Sequence, residues 1–230
     1  MEKRTNNKIY KPANLPNNSM LPGDPNGLPD ESLFSKRNNA LVFIDDGFLS
    51  KLSKHFGDSS YIKFNKEEFS KNLAKKYNLN CVKIFYYLAP PFQGSKSSTE
   101  ENLRKESYDK FKKNLKKSKL ISIFEGRCQR LKIGGKYVYK QKGVDSLIVM
   151  GLMSIPADFP DIKNIILIAS DSDFVPIINW LKGKRIKVTL FTYFDKKRNN
   201  NFSRSNDLIK SVNRYKLLKK EDFTSCKIKD

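Results

Sequence analysis

Ile165-Ile166-Leu167-Ile168-Ala169-Ser170-Asp171-Ser172-Asp173-Phe174 is the stretch that decides the fold. A fully apolar run stops at two carboxylates, and an amphipathic pattern then resumes. An unbroken aliphatic run of this length suits a parallel strand covered on both faces. In open α/β sheets, ligands bind beyond the carboxyl ends of such strands, which places Asp171 and Asp173 at a site. Ala40-Leu41-Val42-Phe43-Ile44 repeats the pattern and ends in Asp45 and Asp46. Two acidic strand ends in a chain with one histidine point to a hard cation held by carboxylates, Mg²⁺ or Mn²⁺.

Working outward, apolar runs alternate with amphipathic segments from Ala40 onward, the pattern of βαβ units. Strands are expected over 40–45, 81–88, 120–124, 164–170 and 186–192, and helices over 48–56, 66–77, 99–118, 144–154, 174–183 and 206–211. The long helix is read as starting at Thr99, with Glu100 and Glu101 in its first turn and Lys116-Lys117 at its end, as capping and the helix dipole favour. Gly134-Gly135 lies between Arg130-Leu131-Lys132-Ile133 and Tyr137-Val138-Tyr139, where it most simply closes a β-hairpin. The fold class is therefore α/β, with a mainly parallel central sheet and a small β-hairpin insertion. Residues 1–38 hold five of the ten prolines among many Asn and Gly, and read as a disordered tail before a folded domain at 39–230.

Composition narrows the function. Across 230 residues, 45 Lys and Arg stand against 24 Asp and Glu, a formal charge of +21. Residues 1–39 carry six basic and four acidic residues, so only +2 of that excess lies there. Such a field attracts polyanions, nucleic acid first among them; the plainer reading is lysine used for solubility. The lone His55 excludes Ser-His-Asp triads and His-rich metal centres, and is better read as ending a helix. Cys81, Cys128 and Cys226 form no C-x-x-C pair, so neither a zinc knuckle nor a disulfide framework is indicated. No apolar stretch approaches the ~18 residues of a membrane span, and no signal-peptide core is present, which makes a cytoplasmic location the expectation.

Asp45, Asp145, Asp171 and Asp173 stand where chain and spacing imply convergence. Each alone is an ordinary cap or turn residue. Together they would repel one another and raise each other's pKa values, so a shared site calls for positive charge, most economically a divalent ion. Arg127, Arg130, Lys140 and Lys142 surround them in sequence as candidate nucleic-acid contacts, and an acidic centre in a basic surround suits a phosphodiester. Phe92, Tyr137 and Tyr139 could stack on unpaired bases, whereas Tyr86 and Tyr87 read as strand packing. The lysine-rich run from Lys110 to Lys119 reads as a solvated helix face.

Val42-Phe43-Ile44-Asp45-Asp46-Gly47-Phe48-Leu49, Lys142-Gly143-Val144-Asp145 and Ser170-Asp171-Ser172-Asp173-Phe174-Val175-Pro176 resemble, in order and spacing, the motifs of the NYN domain. Glu125-Gly126-Arg127-Cys128 looks like its LabA-like branch, within the PIN-like nuclease superfamily. The resemblance spans about residues 40–222. It implies a Rossmann-like (PIN-like) three-layer fold and a Mg²⁺- or Mn²⁺-dependent ribonuclease with Asp45, Asp145, Asp171 and Asp173 as the acidic positions. Two positions depart from the pattern: Gly151 stands where relatives usually carry another Asp, and Phe48 where many carry Asn. Gly151 is either demanded by close packing or marks a lost acid, in which case Gly151→Asp would restore metal affinity.

The resulting expectation is an RNA endonuclease. The alternative is a catalytically weakened RNA-binding or scaffold protein, and a homodimer or a partner held by the tail is left open. Phosphoryl transfer to an aspartate fits less well, because Asp45-Asp46-Gly47-Phe48 lacks the Asp-x-Asp spacing of the phosphatases. Binding to single-stranded RNA is expected to weaken steeply with salt, with a log–log slope of about −0.7 for each phosphate neutralised. Anisotropy titrations across salt concentrations test this, and a slope near zero removes the polyanion partner.

Overall fold

The apolar runs become the strands of one six-stranded sheet in the computed structural model, which describes residues 38–195 and 202–228. The chain forms β1 (Asn39–Asp45), α1 (Asp46–Phe56), α2 (Lys66–Lys75), β2 (Asn80–Leu88), α3 (Thr99–Leu115) and β3 (Ile121–Glu125). A hairpin of β4 (Arg127–Ile133) and β5 (Lys136–Lys142) follows, then α4 (Val144–Asp158), β6 (Asn164–Ile168), α5 (Val175–Gly183) and β7 (Lys187–Thr192). The described chain closes with α6 (Asn206–Ser211), β8 (Arg214–Leu217) and α7 (Lys220–Thr224). The tail expected over 1–38 lies, apart from Asn38, outside the described residues.

Sheet order is β3-β2-β1-β6-β7-β8, and every pairing in it is parallel. The chain winds outward from β1 through β2 to β3, crosses back to β6 beside β1, and winds outward again. The point of reversal between β1 and β6 is where a sheet of this kind opens a crevice at its carboxyl edge.

Side chains of successive strand residues point to opposite faces, which splits the core in two. Ala40, Val42 and Ile44 pack with α1, α2 and α7 residues such as Leu52, Phe69 and Phe223. Leu41 and Phe43 pack with α4 and α5 residues such as Ile148, Leu152 and Ile178. Phe43 stacks on Phe85 at 4.7 Å, and Tyr87 on Phe124 at 5.0 Å. Continued one step, this alternation sends Asp45, after Leu41 and Phe43, toward the α4 side. Asp171, after Ile165, Leu167 and Ala169, follows it.

The structure differs from the sequence expectation at several element ends. β8 and α7 lie outside the expected elements; Arg214–Leu217 is a short, largely exposed edge strand without an apolar run to signal it. Helix α1 begins at Asp46 and not at 48, since Asp45 already caps it. The cap of α3 is Ser98 and not Thr99, its Oγ accepting from the Glu101 amide at 3.2 Å. Within the run from Lys110 to Lys119, Leu115 is buried and Phe111 packs against the core, so the solvated face is the lysine side alone. The hairpin forms as expected, with Gly134 and Gly135 at φ 56° and 78°, the left-handed values a two-residue turn requires.

Helix α4 runs on to Asp158 through Pro156, so Gly151 does not break it. A Cβ at position 151 would lie 2.1 Å from the Tyr87 hydroxyl oxygen and 3.3 Å from Phe43 Cε1. Glycine is there because α4 presses on the sheet at that point. Gly151→Ala is expected to destabilise the protein by about 1–3 kcal/mol through overpacking, and adding Tyr87→Phe should recover much of the loss. Gly151→Asp should destabilise at least as much and leave metal dependence unimproved. Denaturant melts of the three variants check this; equal stability of Gly151→Ala and the parent would free the position for another role.

Candidate active site

At the carboxyl edge between β1 and β6 the surface opens a cleft of about 250 Å³, lined by Asp45, Asp145, Ser170, Asp171, Gln141 and Lys51, with Phe48 and Phe202 beside them. Each acid arrives for a local reason. Asp45 is the N-cap of α1, its Oδ1 accepting from the Gly47 amide at 2.9 Å and the Phe48 amide at 3.4 Å. Asp171 caps the 3₁₀ turn Ser172–Phe174, accepting from the Asp173 amide at 2.9 Å. Asp145 lies in the first turn of α4, just after Gly143, whose φ of 80° turns the chain out of the hairpin. Capping and site are thus not alternatives: the same turn that fixes the carboxylate aims it at the cleft.

Of the four acids read from the sequence, Asp45, Asp145 and Asp171 share the cleft wall. Asp173 is exposed at the rim, and its charge reaches Asp145. Burial is the main cause that pushes the Asp45 carboxyl up to about 7, and repulsion from Asp145 adds to it against the two amide bonds. Asp145 is also raised, by partial burial and then by the charges of Asp171 and Asp173. Among the described residues, no three His, Cys, Asp or Glu side chains approach as a ready-made metal-binding group.

The basic candidates divide. Cross-strand partners share a hairpin face, so the pairs Arg127–Lys142 and Gln129–Lys140 lie on one face and Arg130–Tyr139 on the other. Arg127, Lys140 and Lys142 therefore present one exposed basic face. Arg130 is engaged within the fold instead. Its guanidinium sits 4.6 Å from the ring centroids of both Phe92 and Tyr137 and pairs at 3.5 Å with the buried Glu101. Tyr139 meets Phe92 at 5.9 Å and lies under Arg104. These aromatics anchor the hairpin on the domain, while Tyr86 and Tyr87 are buried in the sheet.

Sequence reading missed Gln141, Lys51 and Ser170. Gln141 is the one uncharged residue in Lys140-Gln141-Lys142, and its Oε1 comes so near Gly47 that a Cβ there would lie 2.9 Å from it. Behind the cleft, Asp46 Oδ1 accepts from Tyr86 Oη at 2.5 Å and Ser50 Oγ at 3.0 Å. Burial lowers the neighbouring Lys66 ammonium to about 8, against the favourable charge of Asp46. That buried polar group props the start of α1 and faces away from Asp145.

Residues 40–216 match the NYN domain family, and the chain belongs to it. Among solved structures, it resembles a protein of unknown function from Vibrio parahaemolyticus at a TM-score of 0.54 and 14% identity, covering 83% of this chain and 98% of that one. That likeness speaks to fold. No curated protein matches.

A carboxyl raised in the fold favours the folded state below its ordinary range and loses that contribution as pH rises through the folded value. For Asp45 the loss falls between about 4 and 7. Asn caps a helix as well as Asp and mimics the protonated form. Without divalent ions, Asp45→Asn should match the parent in Tm near pH 4 and exceed it increasingly toward pH 8. A constant Tm difference across that range would mean that Asp45 is not strained by its surroundings.

Proposed function

We propose that this NYN-domain protein is a ribonuclease of the LabA-like branch that hydrolyses RNA phosphodiester bonds with Mg²⁺ or Mn²⁺. The observation that carries the reading is the cleft itself, where Asp45 and Asp145 are held above the usual carboxylate range by burial and by neighbouring acids. Carboxylates gathered against their own repulsion are stabilised by a divalent cation.

The donor set fits such an ion. Every candidate ligand on the cleft wall is an oxygen, from Asp45, Asp145, Asp171, Ser170 or Gln141. Mg²⁺ is commonly held by one or two carboxylates with the rest of its shell water, so three converging direct ligands are not required. Asp45, Asp145 and Asp171 would hold it, with Asp173 adding charge from the rim. Bound there, a divalent ion supplies Lewis-acid polarisation of the phosphoryl oxygen and acidifies water for in-line attack.

The chain's own groups do the positioning. The helix-capping bonds hold one oxygen of Asp45 and of Asp171 in fixed directions. Gln141 and Ser170 offer neutral hydrogen bonds to a phosphate or to water, and Lys51 brings positive charge to the same wall. Arg127, Lys140 and Lys142 offer phosphate contacts from the exposed face of the hairpin, opposite the face that carries Gln141 into the cleft.

A second reading, RNA binding without cleavage, draws support from position 151, where the Tyr87 hydroxyl fills the space that a side chain would need. Incubating end-labelled mixed RNA with the protein in Mg²⁺, Mn²⁺ or EDTA separates the two. Cleavage in Mn²⁺ that vanishes in EDTA and falls at least about a hundredfold in Asp45→Asn and Asp171→Asn, with RNA affinity retained, is expected. Tight binding with no cleavage under any ion would establish the second reading.

A further inference from the structure

A larger groove of about 730 Å³ runs from the acidic cleft along α1. The two depressions share Gly47, Lys51, Gln141 and Phe202, so they are one continuous path and not separate pockets. Its α1 wall presents Lys51, Lys54 and His55, spaced three and four residues apart and therefore on one helix face. Tyr61 lines this groove and is 63% exposed, so the ring is open to a ligand.

Chemistry along this path is that of a polynucleotide track. Lys54 Nζ lies 5.9 Å from the centroid of the Tyr61 ring, and Lys51 Nζ lies 5.1 Å from that of Phe202. Phe202 is buried, so the platform is Tyr61: an ammonium beside that exposed ring offers a phosphate contact and a stacking surface at neighbouring points, the pairing that single-strand binders use. Ser50 and Ser59 add hydroxyls to the wall. One carboxylate stands in the outer groove, Asp58, and it is ion-paired with Lys220 at 3.5 Å. The other, Asp46, has Oδ1 occupied by Tyr86 and Ser50.

We propose that the α1 groove is a binding track for single-stranded RNA leaving the acidic cleft, with a base stacked on Tyr61 and a phosphate held by Lys54. It rests on the ribonuclease reading for its substrate, and adds contacts along α1 to those proposed on the hairpin. Stacking selects the single strand, because a base paired within a duplex does not expose its face to a side chain.

Anisotropy of a short fluorescein-labelled oligouridylate against the full chain, in EDTA, tests the track without relying on cleavage. Tyr61→Ala is expected to weaken binding about fivefold to a hundredfold, the range for losing one stacked base. Tyr61→Phe should retain most of the affinity. Lys54→Ala should weaken binding and make it less salt-sensitive, by about 0.7 in log–log slope, while duplex RNA affinity changes little in Tyr61→Ala. Both positions are exposed, and matching thermal melts confirm that the variants fold. If the parent binds and cleaves RNA but Tyr61→Ala and Lys54→Ala bind it equally well, the track is overturned and the ribonuclease reading stands. If the parent cleaves mixed RNA in Mn²⁺ but fails to bind the probe, the track falls and the ribonuclease reading stands; if it neither cleaves nor binds mixed RNA, both fall.

Discussion

The parallel pairing of β1 with β6 is the constraint on which the rest depends. Ala40–Ile44 align with Asn164–Ile168 in continuous register, so both strands end at the same level of the sheet. Both are buried on two faces, which is why neither alternates polar with apolar residues. A slip of one residue would turn each inward set to the opposite face and carry Asp45 away from Asp171. The aliphatic core thus fixes the position of the acids, which stand at the strand ends and cap the turns that follow.

The hairpin is the second constraint. Gly126 meets the chain at the hairpin base so closely that a Cβ would lie 2.7 Å from the Lys142 carbonyl oxygen, while its own amide donates to Leu88 at 2.9 Å. Arg130, gripped between two aromatic rings and paired with Glu101, ties the hairpin to α3 and the loop before it. Glu101 is in turn bound to the Gly94 amide at 3.0 Å. This attachment brings Gln141 over Gly47 and completes the cleft wall. A residue that sequence alone would offer to a phosphate is thereby committed to building the site.

Electrostatics then sets the cleft apart from its surroundings. A chain of formal charge +21 concentrates carboxylates at one point, and burial and mutual repulsion raise Asp45 and Asp145 there. Such strain against ionisation is unfavourable to the fold and is the usual mark of groups placed for binding or chemistry.

The sequence by itself determined the central strands, the hairpin with its Gly-Gly turn, and the three acids of the cleft wall together with Asp173 beside them. Those features are local: an aliphatic run long enough to be buried, a turn that needs positive φ, and a carboxylate at the end of a strand each announce themselves within a few residues. Tertiary structure decided what depends on distance across the chain. Gly151 is explained only by the Tyr87 hydroxyl pressed against it from β2, and Arg130 only by Glu101 and Phe92. Gln141 and Lys51 carry no signal in their own segments, because a neutral amide among lysines and a lysine on a helix are ordinary surface choices. The winding of the sheet brings β1, the hairpin and α1 to one edge, and burial and charge there give those side chains their meaning.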